Sequence, residues 1–240
     1  SAPPPSGTGG HPPATTGWGR AMADLLTVTG LTVVRGGRVL VQDLSLSLTR
    51  GTVTALTGPN GSGKSTTAWC LSLHDRDCTG EIAFEGVSAA DMSPRSVRAL
   101  HRRTIALQPQ HLLLEDSWSV ARNLRHAAWS LALPWRRRSD LVSEVMARTA
   151  VEGLARRRVD SLSGGERMRV ALARTRLMRE PGLVVLDEPT AGGDEGLSAL
   201  VTGMLDEWVG SAAGVLVVTH DQRLVERAEH VIRLGDEPAA

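Results

Sequence analysis

The 240-residue sequence contains no tyrosine, a single phenylalanine, Phe84, and one lysine, Lys64, among its 27 lysines and arginines. A GC-rich coding bias produces such absences without any functional cause, so what stands out is the one lysine that the bias left. Two cysteines, Cys70 and Cys78, are too few for a disulfide framework and stand in no metal-ligand spacing; a reducing compartment with both thiols inert fits. No apolar run approaches the roughly 20 residues that a membrane-crossing helix needs, and no basic segment followed by an apolar one stands at the N-terminus. A formal net charge of +1 provides no whole-molecule field for capturing nucleic acid. The local basic clusters Trp135 to Arg138 and Ala155 to Arg158 read as solvated or lipid-proximal faces. No internal repeat is visible.

Residues 1–24 form a tail rich in proline, glycine, serine and threonine, with little to bury and an expectation of disorder. Residues 25–240 are long enough for one large domain with a substantial core. Alternating apolar positions in Leu25–Val34 and Asp43–Thr49 predict two half-buried antiparallel strands, joined through Gly36 and Gly37. Val53–Thr57 reads as a short buried strand entering a glycine-rich loop, with a helix from Lys64 to about Ser72 and a strand at Glu81–Gly86 behind it. Ser93 and Pro94 mark a helix start, and Thr104–Gln108 another strand. From Ser117 to Val159 the pattern is helical throughout, broken by Pro134, which predicts an inserted all-helical lobe over about residues 111–160. The remainder alternates: helix from Gly164, strand Leu183–Asp187, helix from Asp194, strand Gly214–His220, helix from Gln222, strand His230–Leu234. The expected fold is α/β, with a mainly parallel sheet, an N-terminal antiparallel β-subdomain and an inserted α-helical subdomain. Its ligands should sit at the C-terminal ends of the parallel strands.

Three motifs fall at such ends. "GPNGSGKST" comprises Gly58, Pro59, Asn60, Gly61, Ser62, Gly63, Lys64, Ser65 and Thr66, and it matches the phosphate-loop pattern between a predicted strand and helix. Amides of such a loop form a nest for a β-phosphate, Lys64 supplies a point charge to the β and γ oxygens, and Ser65 can ligate Mg2+. "LVVLDEPT" is an apolar strand ending in two carboxylates: Asp187 suits the Mg2+ shell, and Glu188 is the candidate that polarises the attacking water. Together these read as a nucleotide hydrolase site. In "SLSGGERMRV", Ser163 and Glu166 form a capping-box pair, which leaves Gly164 and Gly165 unexplained. Each glycine in a helical turn costs roughly 0.5–1 kcal/mol relative to alanine. A helix N-terminus with bare amides is an anion site, so the glycines imply a close backbone approach to an anion.

The order "GPNGSGKST", "LSGGE", "LVVLDEPT", "VVTHD" resembles the ATP-binding subunit of ABC transporters, from about Leu25 to Leu234, with its P-loop NTPase core. The resemblance implies that Ser163, Gly164 and Gly165 meet the γ-phosphate of ATP bound on a second subunit, in a head-to-tail homodimer or heterodimer. It implies that Gln110 touches Mg2+ and the attacking water and joins core to lobe, Gln110 being preferred to Gln108 by its distance to "SWSV". It implies that His220 contacts the γ-phosphate and steadies Glu188. The expected metal set is Ser65, Gln110 and Asp187, the expected ligands are ATP and Mg2+, and the expected partner is a transmembrane permease. The chain would then be peripheral on the inner face of the cell membrane, with no nucleic acid bound. The wording of "SGGERMRVALART" and "THDQRLVERAEHVIRL" is closest to the lipoprotein-release, macrolide and peptide export branch, although importers share most of it.

Two departures from the family stand out. An aromatic residue that stacks on adenine is replaced by Arg35, whose guanidinium plane can stack on a base but could equally face solvent in a turn. "AGGD", Ala191 to Asp194, keeps its aspartate but has Gly192 and Gly193 where the family has Ala-Leu, which is expected to loosen that loop. The competing function is a soluble ABC ATPase acting on nucleic acid or protein assemblies; such proteins carry a second cassette or a long insertion, and neither is visible. A non-hydrolysing nucleotide sensor is disfavoured by Glu188. Trp118, Trp129 and Trp135 fall in the helical lobe, either as its core or as anchors for a partner.

Overall fold

The computed structural model describes residues 24–131 and 133–235. The tail expectation therefore lies outside the described residues except at Asp24, which already opens a strand. Strands β1 (Asp24–Arg35) and β2 (Arg38–Thr49) form the predicted antiparallel pair across the Gly36–Gly37 turn. β4 (Thr79–Phe84) and β5 (Val87–Ser88) extend them into a four-stranded sheet of order β2-β1-β4-β5. Its inward residues Leu26, Val28, Leu31 and Val33 are buried, as period-2 patterning requires of a one-sided sheet.

The second sheet is parallel. β3 (Val53–Thr57), β6 (Ile105–Gln108), β7 (Leu183–Asp187), β8 (Gly214–Val218) and β9 (His230–Arg233) lie in the order β6-β7-β8-β3-β9, with β7 and β8 internal and β9 an exposed edge. Every residue of β7 and β8 is buried, because helices cover both faces. Leu183 and Val185 face the core shared with α1 (Lys64–Leu71) and α2 (Pro94–Arg103), the latter capped by Ser93. Val184 and Leu186 face the core shared with α5 (Gly164–Arg176), α6 (Glu195–Gly210) and α7 (Gln222–Arg227).

The helical lobe departs from the sequence reading. Helix is not continuous: α3 (Val120–Ala128) begins at the Ser119 cap, α4 (Trp135–Arg148) follows Pro134, and residues 149–161 make only two short 3-10 turns. The reason is a paired neck. Ser119 and Arg158 form an antiparallel bridge. It is flanked by Val120 N–H donating to the Arg157 carbonyl at 3.0 Å, Val159 N–H to that of Trp118 at 3.0 Å, and Asp160 N–H to that of Asp116 at 3.1 Å. The Val159 and Asp160 amides are satisfied across the neck and so are withdrawn from α-helix. Val120 instead opens α3, where its N–H has no intrahelical partner to lose. The lobe's core also continues past residue 160: Val170, Ala173 and Leu177 pack with Leu124, Leu141 and Val145, while Met168 and Leu172 on α5 face the sheet.

Candidate functional site

The parallel order brings together what the chain separates. Gln110 follows β6, Asp187 and Glu188 end β7, His220 follows β8 and the glycine loop follows β3, so four neighbouring strands deliver the site at one edge. Register keeps the ends level: Gln108 pairs with Leu186, Asp187 with Val218, and Val218 with Leu56.

In the glycine loop, Gly63 is the N-cap of α1 in left-handed backbone, with φ of 89°, and gives the helix no side-chain cap. No acidic residue enters the first turn either, so the leading amides stay available to an anion. A Cβ at Gly63 would also lie 2.9 Å from Val41 Cγ2 on β2. Gly58 is tied by the same logic to the backbone carbonyl of Leu234. Lys64 is buried, and its Nζ donates to the carbonyls of Gly58 at 2.8 Å and Pro59 at 2.9 Å, which folds the charge into the loop.

Asp187 is fully buried, and neither carboxylate oxygen has a hydrogen-bond partner among the described residues. Burial raises its pKa; the Ser65 hydroxyl and the Gln110 backbone N–H that face it, with the charges of Lys64 and His111, offset this only in part. Two orphaned oxygens beside a serine hydroxyl form a hard-oxygen donor set, and a Mg2+ ion fits it.

Glu188 holds left-handed backbone at φ of 50°, which for a non-glycine residue costs about 1–3 kcal/mol and clusters at active sites. Its N–H donates to the Val218 carbonyl at 2.9 Å, which anchors the turn. His220 Nε2 lies 3.5 Å from Glu188 Oε1. Burial raises the Glu188 pKa, countered first by His220 and then by its backbone N–H; Asp187 raises it further. The carboxylate thus moves toward the range a general base needs.

At the start of α5 the capping box forms in both directions: Glu166 N–H donates to Ser163 Oγ at 3.3 Å, and Ser163 N–H to Glu166 Oε2 at 2.8 Å. A Cβ at Gly164 would meet nothing within 4 Å, and at Gly165 only Gly193 Cα at 3.8 Å. Neither glycine is required by its own chain.

Gln108 and Gln110 separate cleanly. Gln108 is buried and donates to the Pro109 carbonyl at 2.7 Å and the Asp187 carbonyl at 3.4 Å, whereas Gln110 is exposed. The sequence reading missed this backbone clamp by Gln108 and the influence of His111. Arg35 is not free: its guanidinium pairs with Asp75, donates to the Asp77 carbonyl at 2.6 Å and lies 3.2 Å from the Asp77 carboxylate. The "AGGD" loop is tied as well. Asp194 caps α6 by accepting from Leu197 N–H at 2.8 Å and pairs with Arg169 of α5 at 3.3 Å. A Cβ at Gly193 would collide with the buried Leu197 side chain as it is placed here.

The family model described as ABC transporter matches residues 41–191. A hemin import ATP-binding protein of Streptomyces coelicolor is 38% identical over 83% of this chain and 70% of its own length. A macrolide export ATP-binding/permease protein of Hyphomonas neptunium is 31% identical over 80% of this chain; the matched region is 30% of that protein. Among solved structures, a dimeric ATP-binding cassette in a post-hydrolysis state bound to ADP and Pi superposes with a TM-score of 0.79 at 23% identity, over 87% of this chain and 94% of that one, and so shares the fold.

Proposed function

The chain belongs to the ABC transporter family, and from that premise we propose that it binds and hydrolyses ATP to drive a separate membrane permease. Among the described residues no helix is long and apolar enough to cross a membrane, which supports attachment to the inner membrane face through that partner. One relative is an import protein and another an export protein, so kinship supports transport without giving its direction.

The observation that carries the reading is Asp187, a buried carboxylate with both oxygens unpartnered beside Ser65 and the lysine-bearing loop. We infer that Ser65, Asp187 and Gln110 hold Mg2+, which when bound neutralises phosphate charge. The loop from Gly58 to Thr66 and Lys64 bind and orient the phosphates. Glu188 accepts a hydrogen bond from water and orients it toward the terminal phosphorus, while His220 holds the Glu188 carboxylate and donates toward the γ-phosphate. Arg35 would flank the base. Ser163, Gly164 and Gly165 close the site from a second subunit arranged head to tail, identical or homologous; the lack of any intrachain reason for the two glycines supports this.

Glu188→Gln keeps shape and removes the base, so phosphate release should fall about 10^2- to 10^4-fold while ATP binding persists. An ATP-bound dimer should then accumulate on a sizing column. Hydrolysis at near wild-type rate in Glu188→Gln would remove Glu188 from the role of base.

A further inference from the structure

The two most exposed large apolar side chains of the described residues are Trp129, 74% exposed, and Trp135, 67% exposed. They stand together where α3 ends and α4 begins, and neither fills the lobe's core. A groove of about 280 Å³ separates them, with Ala128 and Val142 at its apolar floor and Arg125 and Arg138 at its margin. Arg138 lies over the Trp129 ring at 5.3 Å and Arg136 over the Trp135 ring at 5.5 Å.

The charged residues that line the groove, Arg125 and Arg138, are of one sign. Arg148, Arg157 and Arg158 elsewhere in the lobe each pair with a carboxylate. Among the described residues, Arg125, Arg136, Arg137 and Arg138 pair with none. Three of them occupy the first turn of α4, where no acidic residue stands. Cations there oppose the helix dipole, so helix stability does not account for them.

We propose that this face rests on an anionic phospholipid surface, the indoles entering the headgroup boundary and the guanidiniums of Arg125, Arg136 and Arg138 binding phosphates. Tryptophan favours that boundary because one end of its ring system is apolar and the other donates a hydrogen bond. Arginine binds phosphate through its planar fork, and the unpaired charges complement acidic lipid. The protruding indoles suit a soft, laterally continuous surface better than a rigid protein socket. The proposal rests on the reading that the chain works beneath a membrane permease.

Flotation of the purified full chain tests it, with vesicles of equal parts phosphatidylglycerol and phosphatidylcholine against phosphatidylcholine alone. The chain should float with the anionic vesicles only. Arg125→Gln with Arg136→Gln should lower partitioning about 30-fold, at ~1 kcal/mol for each charge near such a surface. Trp129→Ala with Trp135→Ala should also release it, with unchanged circular dichroism and unchanged ATP hydrolysis in solution. Absence of flotation, equal flotation on neutral vesicles, or variants that float like the wild type would overturn the proposal. If the wild type floats on neither and the tryptophan variant loses only its membrane protein partner, the patch is a protein interface instead. A failure of the ATPase reading looks different: no hydrolysis, with flotation intact.

Discussion

Gly164→Ala is the substitution in which stability and activity should move in opposite directions. Gly164 is the first residue of α5, behind an intact capping box, and the space where its Cβ would stand is empty to 4 Å. Alanine therefore meets no clash and restricts the unfolded chain, which stabilises the fold by about 0.4–1 kcal/mol. At this chain length each kcal/mol raises Tm by roughly 2–4 °C, so a rise of about 1–4 °C is expected. The same methyl would stand between the bare amides of α5 and a phosphate offered by a second subunit. Loss of one such donor costs about 10^2- to 10^3-fold in rate where charge is held at a backbone N–H. The assay pairs a thermal melt of the nucleotide-free protein with phosphate release at saturating MgATP. A melt shifted upward with hydrolysis at the wild-type rate would mean that Gly164 faces no anion. A melt shifted downward would mean that the cavity above it is not empty.

Asp187→Asn should stabilise the metal-free protein by about 1–3 kcal/mol at neutral pH, because it removes a buried charge that its neighbours offset only in part, and should abolish Mg2+-dependent nucleotide binding. Because burial raises the Asp187 pKa in the folded state, the cost of its charge is absent below the ordinary carboxylate range, grows as pH rises through the folded value and is complete above it. The variant's advantage in thermal melts should follow that course, and an advantage independent of pH would assign the effect to packing. Arg35→Ala should weaken ATP and GTP alike, by roughly 0.5–2 kcal/mol if the guanidinium flanks the base. Unchanged affinity by titration calorimetry would leave Arg35 as the clamp between β1 and Asp75.

Much of the site was legible because its chemistry is local. The glycine loop, the β7 carboxylates and the capping box each lie within one short stretch, and strand, turn and helix around them follow from period and capping alone. What stayed hidden depends on distant partners. The Arg35 ion pairs span about 40 residues and have no sequence signature. Gly193 looks like slack in a loop until Leu197 is seen to fill the space beside it. The neck is misread as helix because its residues have helical patterning, while their amides bond to a segment almost 40 positions away.

That neck has a consequence for how such chains diversify. Its two segments run side by side at a single bridge, so everything between them could be exchanged for another lobe with one small seam. The seam is incomplete at residue 160, because Val170, Ala173 and Leu177 belong to the lobe's interior while Met168 and Leu172 belong to the sheet's. A transplant that stops at the neck would leave one face of α5 against foreign side chains. A lobe exchanged for another would have to bring the outer face of α5 with it, and the "LSGGE" turn at the start of that helix would travel along.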